Sequence, residues 1–185
     1  MTEQKKIMGI LRLESCGGCT QKLLNNPDLL QLLNNFELID ASIKEKMDYL
    51  LVEGCVINDE QKKSFLAAKE RAGNIILFGS CAVQPETLFG INKYEEIETP
   101  YSIRLLGCSP SFEEMNSLFS KLLSGNENVL PSTLVCDDCA KNETKCLMLK
   151  GIDCDGSKTY GGCRILCPKI GKRCTMCRTK AGGER

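Results

Sequence analysis

A chain of 185 residues in which 24 Lys or Arg balance 24 Asp or Glu has no net charge at pH 7, which excludes a global electrostatic attraction to nucleic acid or to a membrane surface. With 42% hydrophobic and 26% charged residues it holds enough apolar material for a packed core, and its length suits one ordinary domain, or one domain plus a small appendage, at roughly 100–200 residues per domain. Thirteen residues are Cys and none is His, which removes His-ligated haem, mixed Cys/His zinc sites, Rieske centres, facial-triad irons and His-based nucleophilic catalysis. No apolar run approaches the roughly 18 residues of a membrane span, and the start MTEQKKIMGILRLESC has no leader pattern, so the expectation is a cytoplasmic protein without a membrane span. In that compartment thiols stay reduced, and thirteen cysteines point to iron–sulfur clusters, four-thiolate zinc or a thiol redox pair rather than to disulfides. Three sites of four thiolates would use twelve and leave one.

In chain order, Ile7 to Leu13 reads as a short strand that leads to Cys16, and Leu23 to Leu33 carries leucines at helical spacing. Phe36 to Ile43 and Asp48 to Glu53 read as two further strands. Asn58 is a fitting N-cap for a helix over DEQKKSFLAAKERA with Gly73 as its stop. Asn74 to Phe78 and Ile103 to Leu106 read as buried strands, and Ser111 opens the amphipathic helix FEEMNSLFSKLL. Strands alternating with helices predict a doubly wound parallel sheet, an α/β domain over residues 1–128.

Cys16 follows the first of these strands, Cys55 the third, Cys81 the fourth and Cys108 the fifth, each just past a carboxyl end. In a parallel sheet those ends share one edge, the edge where open α/β folds place ligands. Gly17, Gly18, Gly54, Gly79 and Gly107 sit beside these cysteines and allow tight turns around a bulky inorganic group. Cys19 is expected in the first turn of a helix, where free N–H groups and the dipole would stabilise a thiolate or an anionic cluster. Read singly, Cys55, Cys81 and Cys108 could each be a small buried hydrophobe, and Cys16 with Cys19 a redox CxxC, but neither reading explains the whole set.

Residues 129–185 hold the other eight cysteines, spaced C-x2-C-x6-C-x7-C-x8-C-x3-C-x6-C-x2-C from Cys136, with little apolar periodicity. Such a segment cannot build a hydrophobic core of its own and is expected to be organised by bound metal. Eight thiols make two four-thiolate sites, of iron–sulfur or zinc; a zinc ribbon would pair Cys136 and Cys139 with Cys174 and Cys177, while a bacterial-ferredoxin run proper is absent although Cys163, Cys167 and Pro168 echo its end, and an interleaved division stays open. Over 164–185, Arg164, Lys169, Lys172, Arg173, Arg178, Lys180 and Arg185 face a single acid, Glu184. This basic tail reads as a solvated face or a docking surface for an acidic partner.

SCGGC after the first strand, VEGCV after the third, FGSCA after the fourth and LGCSPS after the fifth resemble the small, iron–sulfur electron-transfer subunit of NiFe hydrogenases, and more distantly the cluster-bearing subunit of complex I. The resemblance implies a flavodoxin-like domain whose Cys16, Cys19, Cys81 and Cys108 hold a proximal [4Fe-4S] cluster. It further implies a distal [4Fe-4S] cluster on Cys136, Cys139, Cys146 and Cys154, and a medial one on Cys163, Cys167, Cys174 and Cys177. Cys136 stands where the best-known members use His, and Cys167 near where they carry a Pro that leaves a three-iron cluster; all-Cys sites match the cytoplasmic F420-non-reducing and sulfhydrogenase types of archaea. Cys55 falls where relatives carry Ser or another small residue, which implies a supporting place beside the proximal cluster. The chain departs from the family where GCSPS replaces GCPP, where FGSCAVQPETLFG lacks the paired glycines after GSCA, and at Thr20, where relatives have Glu or Ser.

The expected function is therefore a three-cluster electron relay between the NiFe site of a partner large subunit and a further redox subunit or soluble carrier, with no catalytic metal on this chain. Two alternatives stand beside it: the same relay serving a non-hydrogenase oxidoreductase, and a zinc-structured interaction module.

Overall fold

The computed structural model describes residues 5–84, 103–125 and 133–181, and the chain divides into two compact units, Met1–Val129 and Leu130–Arg185. Strands β1 (Lys6–Arg12), β2 (Phe36–Asp40), β3 (Met47–Glu53), β4 (Ala72–Phe78) and β5 (Ile103–Leu105) build the first unit with helices α1 (Gly18–Leu24), α2 (Leu29–Asn35), α3 (Asp59–Lys69), α4 (Ser80–Val83) and α5 (Phe112–Leu123). The strands pair all-parallel in the order β2-β1-β3-β4-β5, an α/β flavodoxin-like sheet. Ile10 aligns with Leu51, Leu51 with Ile76 and Ile76 with Ile103, so the carboxyl ends of β1, β3, β4 and β5 come to one edge.

Alternation along β3 explains the layers, because successive side chains of a strand point to opposite faces. Tyr49 and Leu51 pack with Ile76, Phe78, Ile103 and Leu105 beneath Leu23 of α1 and Met115, Leu118, Phe119 and Leu122 of α5. Leu50 and Val52 pack with Ile75 and Leu77 against Phe65 and Ala68 of α3. Both faces are covered, which is why these strands read as nearly unbroken apolar runs.

Caps fall where the sequence puts them. The Asn58 side chain accepts the N–H of Gln61 at 2.9 Å, and Ser111 and Glu114 form a reciprocal capping box at the start of α5. Three boundaries differ from expectation. The leucine run is split into α1 and α2, since Pro27 disfavours helix at Asn26 and the Asn26 side chain accepts the N–H of Asp28 at 3.0 Å. β2 ends at Asp40, whose carboxylate accepts the N–H of Ser42 at 2.8 Å and turns the chain. Gly73 is no helix stop: α3 ends at Lys69 and Gly73 lies inside β4, where a Cβ would stand 3.0 Å from the Asp48 carbonyl oxygen.

The second unit contains α6 (Val135–Lys141), short 3-10 turns at Met148–Lys150 and Asp155–Lys158, and α7 (Leu166–Lys169). Its apolar cluster is Val135, Ile165 and Cys174, with Cys139, Cys154 and Cys163 packed against them, and Leu147 is buried besides. Three aliphatic side chains among cysteines are too little apolar area to hold a unit of this length.

Candidate metal centres

In the first unit the shared sheet edge gathers Cys16, Cys19, Cys81 and Cys108. β1 ends at Arg12, and the chain passes Cys16 to Gly17, the left-handed N-cap of α1, which carries Cys19. β4 ends at Phe78, and α4 begins one residue after Gly79 with Cys81 inside it. The loops bearing Cys81 and Cys108 are tied together: the Gly79 N–H donates to the Leu105 carbonyl at 2.9 Å, the Ser80 N–H to the Gly107 carbonyl at 3.0 Å, and the Gly107 N–H to the Ser80 hydroxyl oxygen at 3.2 Å. Gly79 has φ +89°, and a Cβ there would stand 2.5 Å from the Cys19 sulfur. Glycine is required at this point by conformation and by space together.

The four thiols feel one another. Burial pushes the Cys19 thiol far up, and Glu53, Cys81, Cys108 and Cys16 add to the shift in that order. Cys81 is pushed up to about 11 by burial, against a hydrogen bond from the Gly54 N–H, with Glu53, Cys108 and Cys16 raising it further. Cys108 is raised by burial and then by Cys16. Four thiolates this close in a half-buried pocket repel one another, so a polycationic centre is what would let all four ionise. The donor set is soft and all-thiolate, which fits an iron–sulfur cluster. Among the described residues no three Cys, Asp or Glu side chains come close enough to hold a single metal ion.

Glu53, at the end of β3, closes the floor of this site. It is 1% exposed, and its two carboxylate oxygens accept the N–H groups of Cys19 at 3.0 Å and Thr20 at 2.9 Å. Cys19 lies in the first turn of α1 as expected, but its own N–H and that of Thr20 are engaged by a carboxylate, and burial raises its thiol. Sequence reasoning passed over Glu53, although a charged residue ending an otherwise apolar buried strand, LLVEG, is the signal that marks it. Cys55 is fully buried, with its thiol donating to the Glu14 carbonyl at 3.9 Å. Burial and then Glu14 raise it, and it does not figure among the groups that shift Cys19, Cys81 or Cys108.

In the second unit the eight cysteines gather around the small core. Cys136 and Cys139 ride on α6, which is capped by Asp137 accepting the Leu134 N–H at 2.7 Å. Asp138 accepts the Gly162 N–H at 2.8 Å, and the Val135 N–H donates to the Thr159 carbonyl at 2.9 Å. The Cys174 N–H donates to the Cys154 sulfur at 3.3 Å, and the Cys174 thiol to the Thr159 hydroxyl at 3.5 Å. Cys136 is raised by burial, then by Cys154, Cys146, Asp137 and Cys174. Cys139 is pushed up to about 11 by burial, then by Cys136, Cys154, Cys163 and Asp138. Cys177 is raised by burial, Cys163, Cys174 and Cys167, and lowered by Arg178. These influences overlap along the segment: Cys174 reaches Cys136 and Cys154 as well as Cys177, and Cys163 reaches Cys139 as well as Cys177.

Arg178 departs from the reading of the tail as uniformly solvated. It is 3% exposed, and its Nε donates to the Gly161 carbonyl at 2.7 Å. Arg164, Lys169, Lys172, Arg173 and Lys180 are exposed as expected. Glu184, Arg185, Pro131 and the stretch after Gln84 that follows GSCA lie outside the described residues.

Parallel strands that deliver spaced cysteines to one edge, followed by a cysteine-organised unit, define a cluster-binding α/β protein. The chain belongs to the family of the NADH ubiquinone oxidoreductase 20 Kd subunit, whose profile matches residues 16–122. It is hydrogenase small-subunit-like within that family. It is 29% identical to the delta subunit of sulfhydrogenase 2 of Pyrococcus furiosus, over 92% of this chain and 85% of that one. It is 26% identical to a subunit of the vhu F420-non-reducing hydrogenase of Methanococcus voltae, over 94% of this chain and 82% of that one. A chain of an NAD+-reducing [NiFe]-hydrogenase in the H2-reduced state shares the fold, with a TM-score of 0.54 and 19% identity over 70% of this chain and 97% of that one. Among the described residues no helix is long and apolar enough to cross a membrane.

Proposed function

We propose that this chain is the electron-transfer subunit of a hydrogenase complex, carrying three [4Fe-4S] clusters that link the NiFe site of a partner large subunit to a further redox subunit or soluble carrier. The observation that carries this reading is the meeting of Cys16, Cys19, Cys81 and Cys108 at the carboxyl edge of the sheet, with Gly79 leaving room beside Cys19. Residues 1–128 would hold the proximal cluster on those four thiols. Residues 129–185 would hold a distal cluster on Cys136, Cys139, Cys146 and Cys154 and a medial one on Cys163, Cys167, Cys174 and Cys177, the division that chain order and the resemblance to hydrogenase small subunits imply. When bound, each cluster supplies one-electron storage, and its potential follows charge, hydrogen bonds to sulfur and solvent exposure.

What the chain's own residues do is structural and electrostatic. The Ser80–Gly107 and Gly79–Leu105 hydrogen bonds fix two ligand loops, the Gly54 N–H reaches the Cys81 sulfur, and Glu53 anchors the first turn of α1. With twelve of the thirteen thiols committed to clusters and Cys55 buried against the Glu14 carbonyl, the hydrogen-activating metal is assigned to the partner. Thirteen free thiols suit a reducing compartment, and we place the protein in the cytoplasm.

Hydrogen itself separates this reading from a relay for another oxidoreductase. Adding hydrogen to the anaerobically purified native complex should bleach the visible iron–sulfur absorption as fully as dithionite does. Bleaching by dithionite alone would assign the chain to a non-hydrogenase complex.

A further inference from the structure

Among the described residues only two charged side chains are buried, Glu53 at 1% and Arg178 at 3% exposure. They are opposite in sign, and each lies in a different cysteine group. Glu53 accepts the N–H of the ligand candidate Cys19. Arg178 directly follows Cys177, with its Nε held by the Gly161 carbonyl. Burying an ion costs several kcal/mol, and neither has a place in the hydrophobic packing of its unit.

We propose that these two buried charges give the relay a polarity: Glu53 holds the potential at Cys16, Cys19, Cys81 and Cys108 low, and Arg178 holds that at Cys163, Cys167, Cys174 and Cys177 high. This rests on the cluster assignment above. Reduction adds one negative charge to a centre that is already anionic. A carboxylate opposes that added charge and a guanidinium favours it, and burial spares both effects much of the solvent screening. Glu53 acts twice in the same direction, because the N–H groups of Cys19 and Thr20 that it engages are not available to sulfur, and hydrogen bonds to sulfur favour the reduced form. The bias concerns one electron at a time, with no bond made or broken. It favours electron passage from the Cys16/Cys19/Cys81/Cys108 centre to the Cys163/Cys167/Cys174/Cys177 centre, the direction of hydrogen oxidation.

The test is an anaerobic potentiometric titration, followed by EPR, of the whole native complex and of complexes carrying Glu53→Gln or Arg178→Gln. Signals are assigned with the exposed-ligand exchanges Cys108→Ser and Cys167→Ser. In the wild type the Cys163/Cys167/Cys174/Cys177 centre should titrate above the Cys16/Cys19/Cys81/Cys108 centre. Glu53→Gln should raise only the latter and Arg178→Gln should lower only the former, while Glu53→Asp and Arg178→Lys, which keep the charges, stay near the wild-type values. A reversed order in the wild type overturns the proposal, as does a charge-removing variant with full iron content whose own centre does not move. If such a variant fails to assemble, the wild-type order decides alone. Missing clusters in the wild type would defeat the functional assignment instead.

Discussion

Cys19 is held in place by three neighbours of different kinds: Glu53 binds its N–H, Gly79 leaves room for its sulfur, and three further thiols lie within electrostatic reach. Gly79→Ala should therefore cost the first unit its cluster. Anaerobic iron analysis would read a loss of about four irons per chain with the others retained; full iron content would show that Cys19 has another route to its position. Cys55 makes one weak hydrogen bond to the Glu14 carbonyl, so Cys55→Ser should leave the iron content and EPR signals unchanged, and an altered signal would instead give it a ligand's role. The raised thiols fix the sign of a pH effect. Cys81 and Cys139 stand near 11, so at neutral pH both are protonated without metal, and loading must displace their protons. Iron affinity of the metal-free chain should rise with pH, by up to about tenfold per unit for each proton released below that value. A chelator competition at two pH values measures it, and an affinity independent of pH would contradict the protonated state.

At the scale of elements, the sheet and the caps carry the stability of the first unit. Leu51→Ala, at a fully buried strand position, should cost about 2–5 kcal/mol by leaving a cavity, and Ser111→Ala about 1 kcal/mol by opening the capping box, both readable by denaturant unfolding. β3 and β4 were legible because a strand buried on both faces has no polar alternation to blur it, and Asn58 and Ser111 were legible because a cap is a local event. The break between α1 and α2 was marked by Pro27, but the even leucine spacing on both sides outweighed it. Gly73 as a helix stop was equally good local chemistry, overridden by the close approach of β3, which no local pattern records. The cysteines' common edge followed from parallel topology alone. Glu53 was marked only by standing at the end of the apolar run LLVEG, and Arg178 was not legible as buried, since one charged letter in a basic tail looks the same on a surface and turned inward.

For the whole molecule, the two units differ in what holds them. Met1–Val129 has two apolar layers around a sheet, while Leu130–Arg185 has Val135, Leu147 and Ile165 among cysteines. Its folding should therefore be tied to its metal. On anaerobic removal of the clusters, limited proteolysis should cut within 133–181 and spare the strands and α5 of the first unit; equal resistance of both units would mean that the second stands without metal. The central claim, that twelve of the thirteen thiols hold three clusters, is tested most directly by iron, acid-labile sulfide and zinc analysis of the anaerobically purified chain in its native complex, with EPR spin quantitation after reduction. The expected result is about twelve irons and twelve sulfides per chain, three reducible centres and no stoichiometric zinc. Two tightly bound zinc ions with no labile sulfide would contradict it.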